Sequence, residues 1–107
     1  MQQMSSFITF IDPHNGKTCD LKTQSNYYTE NKVNALTASD IFKGNFDRET
    51  AENRANELSL NAFFLHFDPA EQDLVFWCRI KDISEKCVNV RIPLHKILAH
   101  FYLSQFA

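Results

Sequence analysis

Trp77, Arg79 and Lys81 occupy alternate positions of one largely apolar run, and Phe64 and His66 do the same in another. In extended chain each set turns to a single side. Aromatic rings beside cationic groups are the chemistry of recognition, because they combine a large apolar contact with directional polar donors. Arg91, in a third run, adds a planar fork of donors suited to a carboxylate or phosphate. Phe64, His66, Trp77, Arg79, Lys81 and Arg91 are therefore the candidate partner-binding face. A protein would meet it as an interface hot spot, and a single-stranded nucleic acid would stack its bases there. The net charge of −2 and pI near 6.0 favour the protein. A second reading stays open: part of this face lies under an N-terminal hairpin or under Tyr27-Tyr28, and the cations ring it.

The remaining reactive residues form no site. His95 and His100 are five apart, which rotates them away from each other on a helix, so they are no metal pair. Cys78 and Cys87 alternate to opposite faces. Cys87 and His66 share a face, but that alone does not make a nucleophile pair. Glu49, Glu52 and Glu57 belong to a solvated helix surface. With only two glycines, neither in a Gly-rich loop, a phosphate-cradling turn is excluded. No catalytic, cofactor or metal residues are expected, and the chain is not expected to be an enzyme.

The elements that position the face follow from periodicity and punctuation. Residues 7–11 and 18–21 flank Asn15-Gly16 and read as a hairpin whose two turn positions both need positive φ. Residues 22–33 read as a loop or as the frayed continuation of the second strand, and 39–44 as one helical turn stopped by Gly44. Asp47 caps a helix to about Leu58, with Ala51, Ala55, Leu58 and Ala62 on one face. Those small residues require it to lie close against a sheet. Residues 63–67, 74–83 and 86–92 are three strands. Their other face, from Phe63, Leu65 and Phe67 through Leu74, Phe76, Cys78 and Ile80 to Val88, Val90 and Ile92, is uniformly apolar and is the expected core. Cys78, on that face, is the thiol expected to be least reactive.

Residues 94–106 form a closing helix, apolar over most of its circumference. Tyr102, Leu103 and Phe106 either contact a second copy, making a homodimer, or fold back on the domain edge. The fold expected is a single α+β domain over residues 1–107, in the order β-β-α-α-β-β-β-α, with an antiparallel sheet and helices mainly on one face.

The 107 residues match one domain, and 44% hydrophobic with 22% charged residues excludes global disorder. Three cysteines, an odd number, fit free thiols in a reducing compartment. No secretory signal or membrane span is read, so a cytoplasmic location is expected. The function expected is that of a small non-enzymatic binding protein of inhibitor, immunity or adaptor type, including the antagonists of phages and mobile elements. It would act by occupying a macromolecular partner's surface. The alternatives are a nucleic-acid-binding module using the same face, and an enzyme or ligand-binding subunit whose site forms only in a dimer.

Overall fold

The computed structural model describes residues 7–22 and 28–98. Tyr27, His100 and the contact residues Tyr102, Leu103 and Phe106 lie outside the described residues. The chain runs β1 (Phe7–Ile11), β2 (Thr18–Lys22), α1 (Glu30–Thr37), β3 (Phe42–Asn45), α2 (Arg48–Asn56), β4 (Phe63–Asp68), β5 (Asp73–Lys81) and β6 (Cys87–Pro93). Residues 94–98 are helical. β1 and β2 form a two-stranded antiparallel sheet, and the other four strands lie in the order β3-β4-β5-β6. The class is α+β.

Two elements differ from the sequence reading. Residues 30–37, of which 30–33 fall in the expected loop, form α1, because the Thr29 hydroxyl accepts from the Lys32 N–H and caps the helix. Its buried residues are Val33 and Thr37, one turn apart. Of the expected helical turn at 39–44, residues 39–41 do form a turn, but 42–44 belong to strand β3, which pairs parallel to β4. The sheet is thus mixed, not wholly antiparallel. A parallel pair cannot be closed by a tight turn and needs a crossover, and α2 is that crossover.

The N-terminal hairpin forms with a longer turn than Asn-Gly predicts. Gly16 alone has positive φ there, at 72°, and the Gly16 N–H donates to the Asp12 carbonyl at 2.8 Å. Asp12 also fastens the hairpin to the main sheet. Its buried carboxylate accepts from the His14 N–H at 2.9 Å and from the Asn45 N–H of β3 at 3.0 Å. Gly44 is needed beside it. At φ 121° a side chain would be strained, and its Cβ would stand 3.4 Å from Asp12 Oδ2.

The core has two layers, one on each face of the four-stranded sheet. The first gathers Phe10, Cys19, Leu21, Tyr28, Val33, Phe42, Leu65, Phe67, Leu74 and Leu94. Phe10 meets the edges of Phe42 and Phe67 at centroid distances of 5.9 and 5.6 Å, a favoured aromatic geometry. The second holds Ala51, Ala55, Phe64, Val75 and Trp77. Helices therefore flank both faces: α2 covers one, while α1, the hairpin and the start of the closing helix supply the other. The thiols sort accordingly, and not as expected. Cys19 is the buried one, its pKa raised by burial and then by the Asp12 charge, whereas Cys78 is half-buried and Cys87 exposed. The first core layer ends before it reaches Cys78.

Candidate functional site

α2 decides the fate of the expected binding face. Asp47 caps it by accepting from the Thr50 N–H at 2.9 Å, and Ala51 and Ala55 present no bulk, so the helix settles directly onto the sheet. Beneath it Phe64, His66 and Trp77 are buried, at 2%, 0% and 3% exposure. They form a second core layer and not a solvent-facing contact surface, which corrects the sequence reading. The cover is α2; the hairpin and Tyr28 pack on the other face of the sheet.

His66 is fully used inside this layer. Its Nδ1–H donates to the Phe46 carbonyl at 3.2 Å, and its Nε2 accepts from the Trp77 indole N–H at 3.0 Å. The Phe46 ring stacks on the imidazole at 4.7 Å, and the Arg54 guanidinium covers Phe46 at 4.3 Å. Burial pushes the His66 pKa down to about 4. A proton on Nε2 would also set two donors against each other. The unfolded chain binds that proton near pH 6.5 and the folded chain does not until about pH 4. Stability from this group is therefore complete above pH 6.5 and is lost as pH falls towards 4, by up to about 3 kcal/mol. Urea unfolding at pH 7 and 4.5 should show this slope, and His66→Gln should flatten it.

The cations of the expected face are spread out. Arg79 Nη1 donates to Asn89 Oδ1 at 3.1 Å, and Asn89 Nδ2 donates to Asn56 Oδ1 of α2 at 2.6 Å. Arg91 Nη2 pairs with buried Asp68 at 3.0 Å and with Glu71 at 2.8 Å. Lys81 is exposed at the end of β5. Nor are His66 and Cys87 neighbours, since they lie opposite Val75 and Lys81, six positions apart along β5.

Sequence reasoning missed a polar constellation at the other end of β5. Asp73, 4% exposed, accepts from the Tyr28 hydroxyl, from the Leu74 N–H at 2.8 Å and from His95 Nδ1–H at 2.5 Å. Burial first, then the Asp73 carboxylate, push the Tyr28 phenol far above the ordinary tyrosine range. The Asp73–His95 pairing follows from the register that the structure gives β5 and β6. Val75 faces Pro93, so carrying the antiparallel register two steps further sets 73 opposite 95. Tyr28 left no such signal, being 45 positions from Asp73. Asp73 and His95 line a cleft of about 330 Å³ with Glu71, Arg91, Pro93 and Lys96. Its lining holds no thiol or hydroxyl for covalent catalysis. Among the described residues, no group of three or more His, Cys, Asp or Glu is placed to hold a metal ion.

Another opening is apolar. Among the described residues, the first face of the sheet is covered near β3 but open towards the far end of β5 and β6. Phe63, Phe76, Cys78, Ile92 and Ile97 line a groove of about 360 Å³ there. Phe63 is 52% exposed and Ile80, farther along the same face, 37%. Val88 and Val90, opposite Ile80 and Cys78, are half-buried and extend the apolar surface. β6 is the last strand of the sheet, and no other described strand pairs with it. No described helix is long and apolar enough to cross a membrane. Comparison of the chain with protein-family models, curated proteins and solved structures returns no match.

Proposed function

We propose that this chain is a small, non-enzymatic, cytoplasmic binding protein of inhibitor, immunity or adaptor type that occupies the surface of a protein partner. One observation carries the reading: the open apolar groove between Phe63 and Ile97, continuous with exposed Ile80. Large exposed apolar side chains gathered on one face are a characteristic of interaction sites. Groove chemistry selects the class of partner. Among the described residues its lining contains no cation to track phosphates, while Arg79 and Arg91 are engaged within the fold. A partner inserting apolar side chains fits, and the free edge of β6 beside the groove offers backbone groups to an added strand.

The test compares wild-type protein with Phe63→Glu. A partner captured from lysate is purified and titrated against both forms. Phe63→Glu should weaken binding by ~30-fold or more, the scale of a hot-spot loss of about 2 kcal/mol. The melting temperature should hardly change, because exposed substitutions usually alter stability within about ±0.5 kcal/mol. Equal affinity of the two forms would remove the groove from the function. A steeply salt-dependent affinity for single-stranded oligonucleotides would favour the nucleic-acid alternative. A wild-type dimer in sedimentation, abolished by Phe63→Glu, would instead make the occupant a second copy.

A further inference from the structure

The four-stranded sheet has two outer edges, and the chain treats them differently. At β3 the edge is filled. The Asn45 N–H donates to the Asp12 carboxylate at 3.0 Å, and the Phe42 carbonyl accepts from the His14 Nε2–H at 2.8 Å. Side chains of the hairpin turn thus stand where a further strand would pair. β6 has no such filling among the described residues.

The ladder fixes which groups β6 leaves over. The Arg79 N–H donates to the Ala62 carbonyl at 3.1 Å, and the Arg79 carbonyl accepts from the Asn61 N–H at 2.7 Å, so both point to the β4 side. Three residues on, the Asp82 N–H points the other way, to the Lys86 carbonyl at 2.9 Å. Backbone groups of successive residues alternate in direction along an antiparallel strand. Phe76, Cys78 and Ile80 therefore bond the residues opposite them, Ile92, Val90 and Val88. The N–H and C=O groups of Cys87, Asn89 and Arg91 point out to the edge. Pro93 has no N–H to add, so the outward donors are centred on Asn89.

The usual protections of an edge strand are absent here. The register with β5 runs from Val75–Pro93 to Lys81–Cys87 without a bulge. No lysine or proline falls within residues 87–92, and the Arg91 side chain is turned back onto Asp68 and Glu71.

We propose that β6 is an interface with a second copy of this chain, paired antiparallel about a twofold axis at Asn89. The edge is complementary to itself in that register. Asn89 faces Asn89 of the second copy, and Cys87 faces Arg91 in both directions, so each outward N–H meets a carbonyl. On the first face Val88 lies opposite Val90 of the second copy, a β-branched pair at the closer, non-hydrogen-bonded spacing. No two like charges stand opposite each other between residues 87 and 91. The product is a continuous sheet of eight strands, four from each copy, joined by an isologous contact. Residues directly opposite share a face, so the two apolar grooves come to the same side. The inference goes beyond the groove reading: the strand added at β6 is the chain's own, and the groove stays with the partner.

Sedimentation of the whole chain from micromolar to millimolar concentration, combined with amide hydrogen exchange, tests this. A species of twice the 12.5 kDa chain mass is expected. As it forms, the amides of Cys87, Asn89 and Arg91 should exchange more slowly, while those of Val88, Val90 and Ile92 are protected in both states. Asn89→Pro removes the central outward donor at a position where the ladder needs none, and should abolish the dimer. Asn89→Ala removes the same side chain but keeps the N–H, and should retain it. A monomer throughout, or a dimer with fast exchange at 87, 89 and 91, overturns the proposal whether or not Asn89→Pro folds. So does a dimer that survives in folded Asn89→Pro or is lost equally in Asn89→Ala. A dimer abolished by Phe63→Glu would run through the groove and overturn it too. Partner binding that depends on Phe63 in a chain that never dimerises would sink this inference and leave the groove reading intact.

Discussion

Trp77→Ala should lower the unfolding free energy by roughly 3–5 kcal/mol, the range for truncating a large buried aromatic. The indole is 3% exposed and packs in one cluster with Ala51 and Ala55 of α2 and with Phe64 and Val75. Removing it leaves a cavity that two alanines cannot fill, since neither has atoms to move into the space. His66 Nε2 also loses the indole donor 3.0 Å away and becomes a buried acceptor without a partner. Small domains hold only about 5–15 kcal/mol in total, so the variant should melt more than ~10 °C lower or fail to fold. Trp77→Phe keeps most of the apolar contact and should cost less, which separates cavity from hydrogen bond. In the wild type, emission should be blue-shifted and resist iodide. A cost below about 1 kcal/mol, with red-shifted and easily quenched emission, would mean that α2 does not cover this face.

Arg91→Ala should be nearly as damaging, although arginine on a strand usually reads as surface. Asp68 is 2% exposed and organises the β4–β5 turn: Oδ1 accepts from the Ala70 N–H at 2.9 Å, while Oδ2 faces Arg91. Without the guanidinium, the buried carboxylate keeps its backbone donors and loses its counter-charge. Breaking a buried pair from one side costs about 3 kcal/mol or more. Glu71 provides the contrast. It is 45% exposed on the same Arg91 nitrogen, and Glu71→Ala should cost less than ~1 kcal/mol, as surface pairs do. Urea unfolding of Arg91→Ala, Asp68→Asn and the double variant measures the coupling, which should reach ~1–3 kcal/mol. Additive losses would show that Arg91 and Asp68 act independently.

Several elements are legible because their signals are local. Alternation in residues 63–67 and 74–80 marks strands whichever neighbour they pair with. Asp47 followed by Ala51 and Ala55 marks a capped helix that must lie close to a sheet. Asn15-Gly16 marks a reversal even though the turn type differs. These residues are enough for the α+β class and for the apolar first face. α1 escaped because its buried residues, Val33 and Thr37, are few and its surroundings polar. β3 escaped because Phe-Lys-Gly-Asn is too short to show a period, and its partner lies 22 or more positions away at Leu65 and Phe67.

The miss at β3 carried the largest consequence for function. Alternation shows that a strand has two faces but not which one meets water. Once β3 is parallel to β4, the chain between them must cross a face of the sheet, and α2 comes down over Phe64, His66 and Trp77. A surface legible in sequence as aromatic and cationic thereby becomes core. The face expected to be core throughout stays open at Phe63 and Ile80, where the described covering elements end. The sequence alone determined which residues share a side; the tertiary crossover decided which side is covered. The burial of Asp73 was likewise decided by the tertiary structure, where Tyr28 reaches its carboxylate from outside the sheet, because burial depends on contacts between residues far apart in the chain.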